Sequence, residues 1–588
     1  MSIVKMKKMY LAVQKNDQEK TLDKLHELGV LHVVPVDPST AVATDDIVLA
    51  QEQLKRAIQI LSSITAEGEK TLLEVNDAIQ EILEVERTNA ELENRLNALH
   101  RQLSSQAAWG DTKLADIDYL TDANVHICFV TTKTENVEKL NASFVQVINE
   151  TGGKALVALV SDCSEFELPE TAEPILLPTK DNPTIKAEAA QIEKTQLENT
   201  EKLKCLAYML EQLKEHVVHV DEKVSFSQIS NSALDDEDIF AIQGWVPDGA
   251  ENDIAPAFEA ANISAGIDIY EPTEDDAPPT LLKIPNWAKP IEGLFSVLGT
   301  VSGYKEFDVS IPFMLALPIF AAILIGDGAY GAILLFGPML AFKKVSKALG
   351  EPFTKLLMVI GGVTLVWGFL CGSFFGKLIY PNPLIPVDMT DESRNLMMNI
   401  SFTMGAIHLC CAKLWQVVRE APSLRALCSL GWAIFIWGMY GVVKMFVMGG
   451  TLGMDTPWPY FLIAGAALAI VFTAPNKNVV KMLAIGLASF PLDMLSAFSD
   501  IISYVRLMAV GLASGVLAQS FNELGMGAGP IMMVPILVLG HSLNLGLAII
   551  ALFAHGVRLN MLEFSNNLGM QWVGCAYKPF AKQTIQEK

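Results

Sequence analysis

The chain has 588 residues, with 43 lysines and arginines against 66 aspartates and glutamates, which gives a formal net charge of −23. This acidic balance disfavours general nucleic-acid binding, and the length exceeds what one hydrophobic core serves. The eight cysteines show no C-x-x-C pair and no zinc-ligand spacing, so a disulfide scaffold and a metal site are disfavoured. Acidic residues concentrate before residue 290 and apolar residues after it, so we expect two domains, residues 1–290 and 291–588.

The N-terminal half begins as a small α/β lobe. KMYLAVQ, NDQEKTLDKLHELG and VLHVVPV, within residues 8–36, predict a strand, a helix that ends at a glycine, and a second strand. IFAIQGWVP, a helix near residues 249–263 and AGIDIYEP complete this lobe, which we place at residues 1–45 and 226–272. The start of the chain has no apolar run long enough for a signal peptide, so we expect a cytoplasmic N-terminal domain.

Two amphipathic runs predict a coiled-coil stalk, because their apolar residues recur at spacings of three and four. The runs consist of Leu92, Leu96, Leu99 and Leu103, and of Leu206, Leu210, Leu213, Val217 and Val220. Since both lie in one chain, we expect an antiparallel intramolecular pair of helices over about residues 46–110 and 183–225.

A second small lobe is expected at the far end of this stalk, over about residues 111–182. HICFVTT, ENVEKLNASFVQVINE and ALVALVSD predict a strand, a helix and a strand there. After the stalk returns, the linker over residues 273–290 is rich in proline and acid, which opposes regular structure and marks the domain boundary.

Eight apolar stretches follow the linker and predict an α-helical polytopic membrane domain. They cover residues 311–325, 327–342, 355–380, 394–418, 424–449, 457–474, 481–524 and 530–572. The first two are short, so one broken span over residues 311–342 stays an alternative. The last two are long and must tilt, bend or extend beyond the bilayer. Basic residues concentrate in alternate loops, which by the positive-inside rule places both termini in the cytoplasm.

An arginine, Arg506, lies near the middle of the apolar run SAFSDIISYVRLMAVGLAS, residues 496–514. An arginine at the bilayer centre costs at least about 2.5–3.5 kcal/mol and cannot escape by deprotonation, so its side chain should face protein or water. Its helical neighbours on the same face are small and would admit another helix or a carboxylate. These neighbours are Ser499, Ser503, Ala509 and Ala513.

Other polar residues on the last two stretches leave alternatives open. Asp493, Asp500 and Tyr504 occupy a different side from Arg506, where they could line a water-filled cavity, and either aspartate could instead be an internal partner that locks Arg506. A second stripe is formed by Asn544, Ala551, His555, Arg558 and Ser565. Arg558 fits either an ion path or an interfacial anchor, and His541 and His555 fit either interhelical hydrogen bonds or a proton relay.

SDIISYVRLMAVGLA and HGVRLNMLEF together resemble the paired final helices of the membrane stator subunit of V/A-type rotary ATPases, called subunit a or subunit I. Other segments agree in order: MSIVKMKKMYLAV with LHELGVLHV, then GWVP, APPTLL and IGDGAYG. We interpret GWVP and IGDGAYG as structural motifs. Their residues are Gly244, Trp245, Pro247, Gly326, Asp327, Tyr330 and Gly331.

The resemblance implies that Arg506 faces a rotating ring of proteolipid subunits whose carboxylates carry the ion. A guanidinium about 4 Å from a carboxylate contributes on the order of 4 kcal/mol at an effective dielectric of about 20, which favours the ionised, ion-free carboxylate. The permanent charge also separates two half-channels, and Arg558 supports the interface. The candidates for half-channel lining are Asp493, Asp500, Ser503, Tyr504, Ser514, Glu523, His541, Asn544, His555 and Glu563.

By the same resemblance the chain is a stator subunit that couples H+ or Na+ translocation to ATP hydrolysis or synthesis, without hydrolysing nucleotide itself and without a cofactor. Its implied partners are the proteolipid ring, peripheral-stalk subunits, the central-stalk socket subunit, the soluble ATPase sector and the lipid bilayer. Ser514 stands where eukaryotic members commonly have histidine, which puts a histidine-assisted proton route there in doubt. The short chain favours a bacterial or archaeal member.

Two other classes of function compete with this one. A secondary transporter would suit broken helices and intramembrane charges, but it predicts a repeat between the halves of the membrane region, and the sequence shows none. A membrane tether or signal transducer would explain the coiled coil and leave Arg506 without a role. Direct ATP hydrolysis is disfavoured because the sequence lacks the G-x-x-x-x-G-K-[ST] phosphate-binding pattern.

Overall fold

A computed structural model of the chain describes residues 3–36, 41–68, 70, 73–123, 125–151, 153–161, 168–169, 171–235, 238–381, 383–386, 390–475 and 478–582. The chain forms two compact units, Met1–Val34 with Leu234–Ala581, and Pro35–Ala233. The first unit holds the N-terminal sheet and the apolar helices, and the second holds the stalk helices and the second lobe. Part of the predicted second lobe, residues 124, 152, 162–167 and 170, lies outside the described residues.

The strands of the described residues are β1 (Met6–Gln14), β2 (His32–Val34), β3 (His126–Lys133), β4 (Phe144–Thr151), β5 (Lys154–Ser161), β6 (Glu173–Pro174), β7 (Leu234–Asp235), β8 (Ile239–Pro247), β9 (Ala265–Tyr270), β10 (Ser373–Phe374) and β11 (Lys377–Leu378). The helices before the linker are α1 (Gln18–Leu28), α2 (Asp45–Ser62), α3 (Val75–Ser105), α4 (Leu114–Asp122), α5 (Asn182–Leu206), α6 (Leu210–Ser232) and α7 (Glu251–Ala260).

After the linker the helices are α8 (Glu292–Leu298), α9 (Ser310–Ile325), α10 (Gly328–Leu340), α11 (Phe342–Leu349), α12 (Glu351–Cys371), α13 (Asp391–Glu420), α14 (Arg425–Met448), α15 (Trp458–Phe472), α16 (Val479–Ser503), α17 (Val505–Gly527), α18 (Pro530–Ala551) and α19 (Ser565–Leu568). Two π-helical segments, Leu552–Val557 and Leu559–Phe564, connect α18 to α19.

The N-terminal sheet has the order β2-β8-β1-β9, and its strands pair antiparallel. β1 alternates buried and exposed side chains because one face of the sheet packs inward. Gly244 of GWVP pairs with Met9, and a Cβ at this position would lie 2.5 Å from the carbonyl oxygen of His32. The glycine therefore lets β2 approach β8 closely, which supports a structural role for the motif.

The C-terminal segment after α19 packs on this N-terminal sheet and on the linker. The Phe580 amide donates to the Leu31 carbonyl at 2.8 Å, and the Thr280 amide donates to the Cys575 carbonyl at 2.7 Å. Burial lowers the pKa of His32, which favours a neutral ring whose Nδ1 accepts from the Lys578 amide at 3.0 Å. The end of the last apolar stretch is thus bonded directly to the N-terminal lobe.

The second unit contains a stalk that is antiparallel but more divided than expected. Gln51 donates to Asp221 at 2.6 Å, and further along Arg95 donates to Glu188 at 2.8 Å, so the outgoing and returning helices run in opposite directions. The prediction of one continuous outgoing helix over about residues 46–110 is wrong, because α2 ends at Ser62 and α3 starts at Val75. Serine, threonine and glycine in SSITAEG favour that break.

The two amphipathic runs lie in separate hydrophobic clusters and do not pack mainly on each other. Leu99 is buried with Ile185 and Ile192 of α5, and its run-mates pack around this cluster. Leu206 and Leu213 are buried against residues of α2 and α3, such as Leu54 and Ile82. The second outgoing helix and the helix before it thus supply partners that the spacing of leucines alone did not identify.

The second lobe contains an antiparallel sheet with the order β4-β5-β3-β6. The helix predicted within ENVEKLNASFVQVINE is wrong, because residues Phe144–Thr151 form β4 and only a short 3₁₀ turn, Thr134–Lys139, precedes it. FVQVINE is rich in aromatic and β-branched residues, a composition that favours a strand over a helix.

Every predicted apolar stretch contains a helix. Five helical segments are long and apolar enough to cross a membrane: Glu351–Cys371, Asp391–Glu420, Arg425–Met448, Val479–Gly527 and Pro530–Leu568. Ser310–Ile325, Gly328–Leu340 and Trp458–Phe472 are shorter apolar helices. The polytopic helical architecture therefore agrees with the sequence, while the number of spans stays a prediction.

Candidate functional site

Arg506 lies directly after an interruption in the long apolar helix. α16 ends at Ser503 and α17 starts at Val505, with Tyr504 between them. The Tyr504 side chain is fully buried, and its hydroxyl lies 2.7 Å from Nδ1 of His408 on α13. Because this ring is fixed in the core, the backbone turn holds Ser503 beside Arg506, whose Nη2 donates to the serine hydroxyl at 2.7 Å.

Glu563 is the internal anion that the arginines share. Its Oε1 lies 3.9 Å from Nη2 of Arg506 and 3.7 Å from Nε of Arg558. Ser503 donates its hydroxyl to the same oxygen at 2.5 Å. The Glu563 side chain is 6% exposed, whereas those of Arg506 and Arg558 are 22% and 53% exposed. The described residues show no ion pair of Arg506 with Asp493 or Asp500, so the lock that the sequence suggested is made by a different residue.

The arginine cluster, Arg506, Arg558 and Glu563, carries an excess positive charge. Two guanidinium groups and one carboxylate give a formal charge of 2 − 1 = +1. Nη1 of Arg506 is buried and makes no hydrogen bond within the described part of the chain. An unsatisfied buried donor on a charged group is unfavourable, so the cluster is suited to one further anion beside Arg506.

The predicted face of small residues around Arg506 is exposed. Ser499, Ala509 and Ala513 all present exposed side chains, while Ser503 is partly covered by its contact with Glu563. Small side chains permit close approach of a second helix. The guanidinium of Arg506 is therefore reachable from outside the chain along this face.

The last helix changes its winding from Leu552 onward, and Arg558 lies between two π-helical segments. Its two π-helical segments replace the usual i→i+4 hydrogen bonds by i→i+5 bonds, which widens the turn. The stripe predicted from regular helical spacing is therefore wrong: Asn544 and Ser565 are buried, while Arg558 is mostly exposed. The widened turn places Glu563 inside the protein and leaves Arg558 at the surface.

A polar cavity of about 390 Å³ adjoins α16 on the N-terminal side of Arg506. Asp493 and Asp500 line it, as the sequence suggested, and Tyr504 does not. Asn567 connects this cavity with the arginine cluster, because its amide donates to Oδ2 of Asp500 at 2.7 Å and to the backbone carbonyl of Glu563 at 2.8 Å. The charged residues that the sequence analysis missed here are Lys413, Glu420 and Arg425.

A buried polar network lies beside α17 on the C-terminal side of Arg506. His541 contacts the Tyr330 hydroxyl through Nδ1 at 2.8 Å and the Asn522 side-chain oxygen through Nε2 at 3.2 Å. Asn544 donates to the Tyr330 hydroxyl at 3.1 Å and to the Ser514 backbone carbonyl at 2.9 Å. The network joins Tyr330 of the IGDGAYG motif with three predicted lining residues, which are Ser514, His541 and Asn544.

The remaining candidates lie apart from these groups. Glu523 is exposed near the end of α17 and accepts from Gln519 at 3.1 Å. His555 is partly buried in the first π-helical segment. Within the described ranges there is no group of three or more histidine, cysteine, aspartate or glutamate side chains placed to hold a metal ion.

Asp327 of IGDGAYG fixes two segments of backbone. It caps α10 by accepting from the amides of Ala329 and Tyr330 at 2.9 and 3.4 Å. It also accepts from the Ser373 hydroxyl at 3.0 Å and from the amides of Phe375 and Gly376 at 3.0 and 2.8 Å, which holds the β10-β11 turn. The carboxylate is buried, and its contacts support the structural interpretation of the motif.

Replacing Asp327 with alanine is expected to lower the free energy of unfolding of the membrane region by about 3 kcal/mol or more, because several buried donors lose their acceptor. Asp327→Asn keeps one side-chain oxygen and should cost less. The measurement is the thermal unfolding midpoint of the purified complex. Asp391→Asn, at an exposed helix start, is the matched control, and an equal midpoint for Asp327→Ala and this control would contradict the expectation.

Comparison with known proteins identifies the relatives of this chain. No family model matches the sequence. V-type ATP synthase subunit I of Borreliella burgdorferi is 28% identical over 626 residues, which cover 99% of this chain and 99% of that protein. A-type ATP synthase subunit I of Archaeoglobus fulgidus is 26% identical over 410 residues, 59% of this chain and 60% of that protein. The chain is a homologue of V/A-type ATP synthase subunit I.

The resemblance to subunit I that the sequence motifs indicated is thereby confirmed. Among solved structures, the cytoplasmic N-terminal domain of subunit I, homolog of subunit a, of V-ATPase matches 45% of this chain and 100% of that domain. This match has a TM-score of 0.18 and 14% identity.

Proposed function

We propose that this subunit I homologue is the membrane stator subunit of a rotary ATPase. In this role it forms ion half-channels against a rotating ring of proteolipid subunits and couples H+ or Na+ translocation to ATP hydrolysis or synthesis. The homologues are named as subunit I of V-type and A-type ATP synthases, and the helices of this chain are apolar enough to cross a membrane.

One observation carries the proposal: Arg506 combines an incompletely paired guanidinium with an accessible face of small residues. Its Nη1 is buried without a hydrogen bond in the described chain, and the arginine cluster has an excess charge of +1. A ring carboxylate that reaches this face would supply the missing anion. The nearby permanent charge would favour its ionised form and so promote release of the bound ion.

The two polar groups on either side of Arg506 support half-channels that do not meet. Asp493 and Asp500 precede Arg506 on the long helix and line the cavity, whereas Ser514 and Asn522 follow it and belong to the buried network. The arginine lies between these groups along the helix. A cation that passes from one group to the other would have to travel on the ring, because the fixed positive charge opposes direct passage.

The rest of the assembly follows from the same proposal. The stalk and the two lobes would bind peripheral-stalk subunits and hold the stator against torque, and the subunit would contact the central-stalk socket subunit and the soluble ATPase sector. Both termini would lie in the cytoplasm, and nucleotide hydrolysis would occur on other subunits.

A disulfide cross-link tests the placement of this face. We expect Ala513→Cys to cross-link to a cysteine introduced beside the ring carboxylate, because Ala513 is exposed on the face of Arg506. Ile463→Cys on α15 is the control, since its side chain is exposed (62%) on a helix that carries no candidate residue. Cross-linked product is measured by gel electrophoresis after mild oxidation of the assembled complex. Cross-linking of Ile463→Cys but not of Ala513→Cys would place the ring on another face.

A further inference from the structure

A cavity of about 510 Å³ lies where the linker, the loop before α9 and the C-terminal segment meet. Its walls include Thr280 and Leu282 of the linker, residues 299–302 and 308–309 of the loop with the first residue of α9, and Trp572 of the C-terminal segment. None of these residues belongs to the arginine cluster or to the polar groups beside it. The cavity is therefore separate from the candidate ion path.

Buried polar groups without partners concentrate at this cavity. Thr280, Ser302 and Ser310 are 5%, 4% and 0% exposed, and the hydroxyl of each makes no hydrogen bond among the described residues. The same holds for the hydroxyl of Thr300 and the indole N–H of Trp572. Buried polar atoms are normally satisfied in folded proteins, so a cluster of such atoms around one cavity points to a polar ligand.

Asp308 adds a carboxylate oxygen to these buried polar atoms without partners. Its Oδ1 accepts from the Ser310 amide at 2.9 Å at the start of α9, while Oδ2 is buried and has no partner in the described chain. Glu292 is the second carboxylate of the lining, and Lys578 is its ammonium group. These side chains give the lining a formal charge of 1 − 2 = −1, which favours a ligand with a cationic group.

The walls of the cavity are held in place by backbone contacts. Glu306 Oε1 accepts from the amides of Gln571 and Trp572 at 2.6 and 3.1 Å, and its Oε2 accepts from the Gly303 amide at 2.6 Å. A Cβ at Gly574 would lie 2.1 Å from the Ser302 carbonyl oxygen, so only glycine permits this approach. The loop and the C-terminal segment are thus fixed to each other, as expected of a preformed binding site.

The location and the apolar part of the lining indicate the class of ligand. Ser310 is the first residue of α9, the first apolar helix, so the cavity lies at the edge of the apolar region. Leu282, Ile284, Phe295 and Val309 provide an apolar wall next to the polar groups. A molecule that presents both a cationic head and hydrocarbon chains matches this arrangement.

We infer that this cavity binds the head group of a membrane lipid with a primary ammonium and a phosphate, of the phosphatidylethanolamine type. The ammonium donates to Asp308 Oδ2 and to the neighbouring hydroxyl groups, and the phosphate lies toward Lys578 at the exposed side. The inference rests on the membrane placement in the proposed function but not on the role of Arg506, so the two can fail independently.

The test is lipid retention by the purified, assembled complex, measured by native mass spectrometry after delipidation and addition of phosphatidylethanolamine or phosphatidylcholine. We expect the wild type to retain phosphatidylethanolamine about tenfold better, because a primary ammonium donates charge-assisted hydrogen bonds that a trimethylammonium cannot. Asp308→Asn keeps the Oδ1 acceptor of α9 and should abolish this preference. Asp275→Asn, at an exposed linker position, is the matched control and should preserve it.

Other outcomes distinguish the source of the head group and can overturn the inference. Soluble phosphoethanolamine should displace the lipid poorly, and equal binding of this soluble compound would show a site for a small metabolite instead. Equal retention of both lipids, or an unchanged preference in Asp308→Asn, would show that the ammonium is not recognised. If one of these contradicting results is found while Ala513→Cys still cross-links to the ring, the lipid inference is wrong and the proposed function is unaffected.

Discussion

Replacement of Arg506 by alanine is expected to abolish ATP-driven ion uptake into vesicles while the complex still assembles. A guanidinium about 4 Å from a ring carboxylate contributes on the order of 4 kcal/mol at an effective dielectric of about 20, which corresponds to about a thousandfold in the ionisation equilibrium of that carboxylate. Without this electrostatic stabilisation of the ionised carboxylate, the ion would stay bound as the ring turns. Uptake is measured with a pH-sensitive dye and, in parallel, as sodium accumulation, and assembly by co-purification of the other subunits.

The controls separate the position of the charge from the charge itself. Arg506→Lys keeps a cation but loses the second nitrogen that reaches Ser503, so uptake should fall less than in the alanine variant. Arg394→Ala removes an arginine whose exposed pair with Asp391 is 2.6 Å long, and uptake should not change. Normal coupled uptake by Arg506→Ala would show that this residue is only a structural lock with Glu563.

Some of the candidate site follows from local sequence and some depends on tertiary structure. Helical periodicity around Arg506 correctly predicts the exposed small residues Ser499 of α16 and Ala509 and Ala513 of α17, because Tyr504 between the two helices keeps an α-helical backbone conformation. It does not predict that Glu563 pairs with Arg506, because the glutamate lies on another helix. Glu563 is 60 positions after Ser503, the neighbour of Arg506 to which it is hydrogen-bonded. The π-helical turns that bring Glu563 inward also have no signal in a 3.6-residue period.

The fold shows the same division between local and long-range information. The apolar stretches and the strands of the N-terminal lobe were predictable because hydrophobic periodicity decides them. The packing of Ile82 of α3 in one cluster with Leu54 of α2 and Leu213 of α6 depends on the break between α2 and α3, and single-helix periodicity contains no such information. Similarly, the sequence does not indicate that Lys413 of α13 and Asp493 of α16 line one cavity, because the two residues are brought together only by helix packing.

Glu563→Gln is expected to slow ATP-driven uptake by about tenfold without loss of assembly. The neutral amide weakens the charge-assisted hydrogen bond from Ser503 and raises the formal charge of the arginine cluster from +1 to +2. A hydrogen bond to a charged group contributes about 1.5–3 kcal/mol, and each 1.4 kcal/mol is about tenfold in rate. Arg506 should then be less well oriented, and the ring carboxylate should leave it more slowly. The measurement is initial uptake rate per assembled complex, and Glu563→Asp, which keeps the charge, should retain more activity.

Adding Arg558→Gln to Glu563→Gln tests whether the effect is electrostatic. The double variant has Arg506 as its only charged member of the arginine cluster, which restores the formal charge of +1. If excess charge slows the ring, the double variant should take up ions faster than Glu563→Gln alone, because neutralising a second residue compensates for the first. If Glu563 acts only by packing, the two substitutions should combine additively and uptake should fall further. Arg558 is half exposed and Glu563 is buried. Rescue by the double variant would therefore show that the charge of Glu563 determines how strongly Arg506 attracts the ring carboxylate.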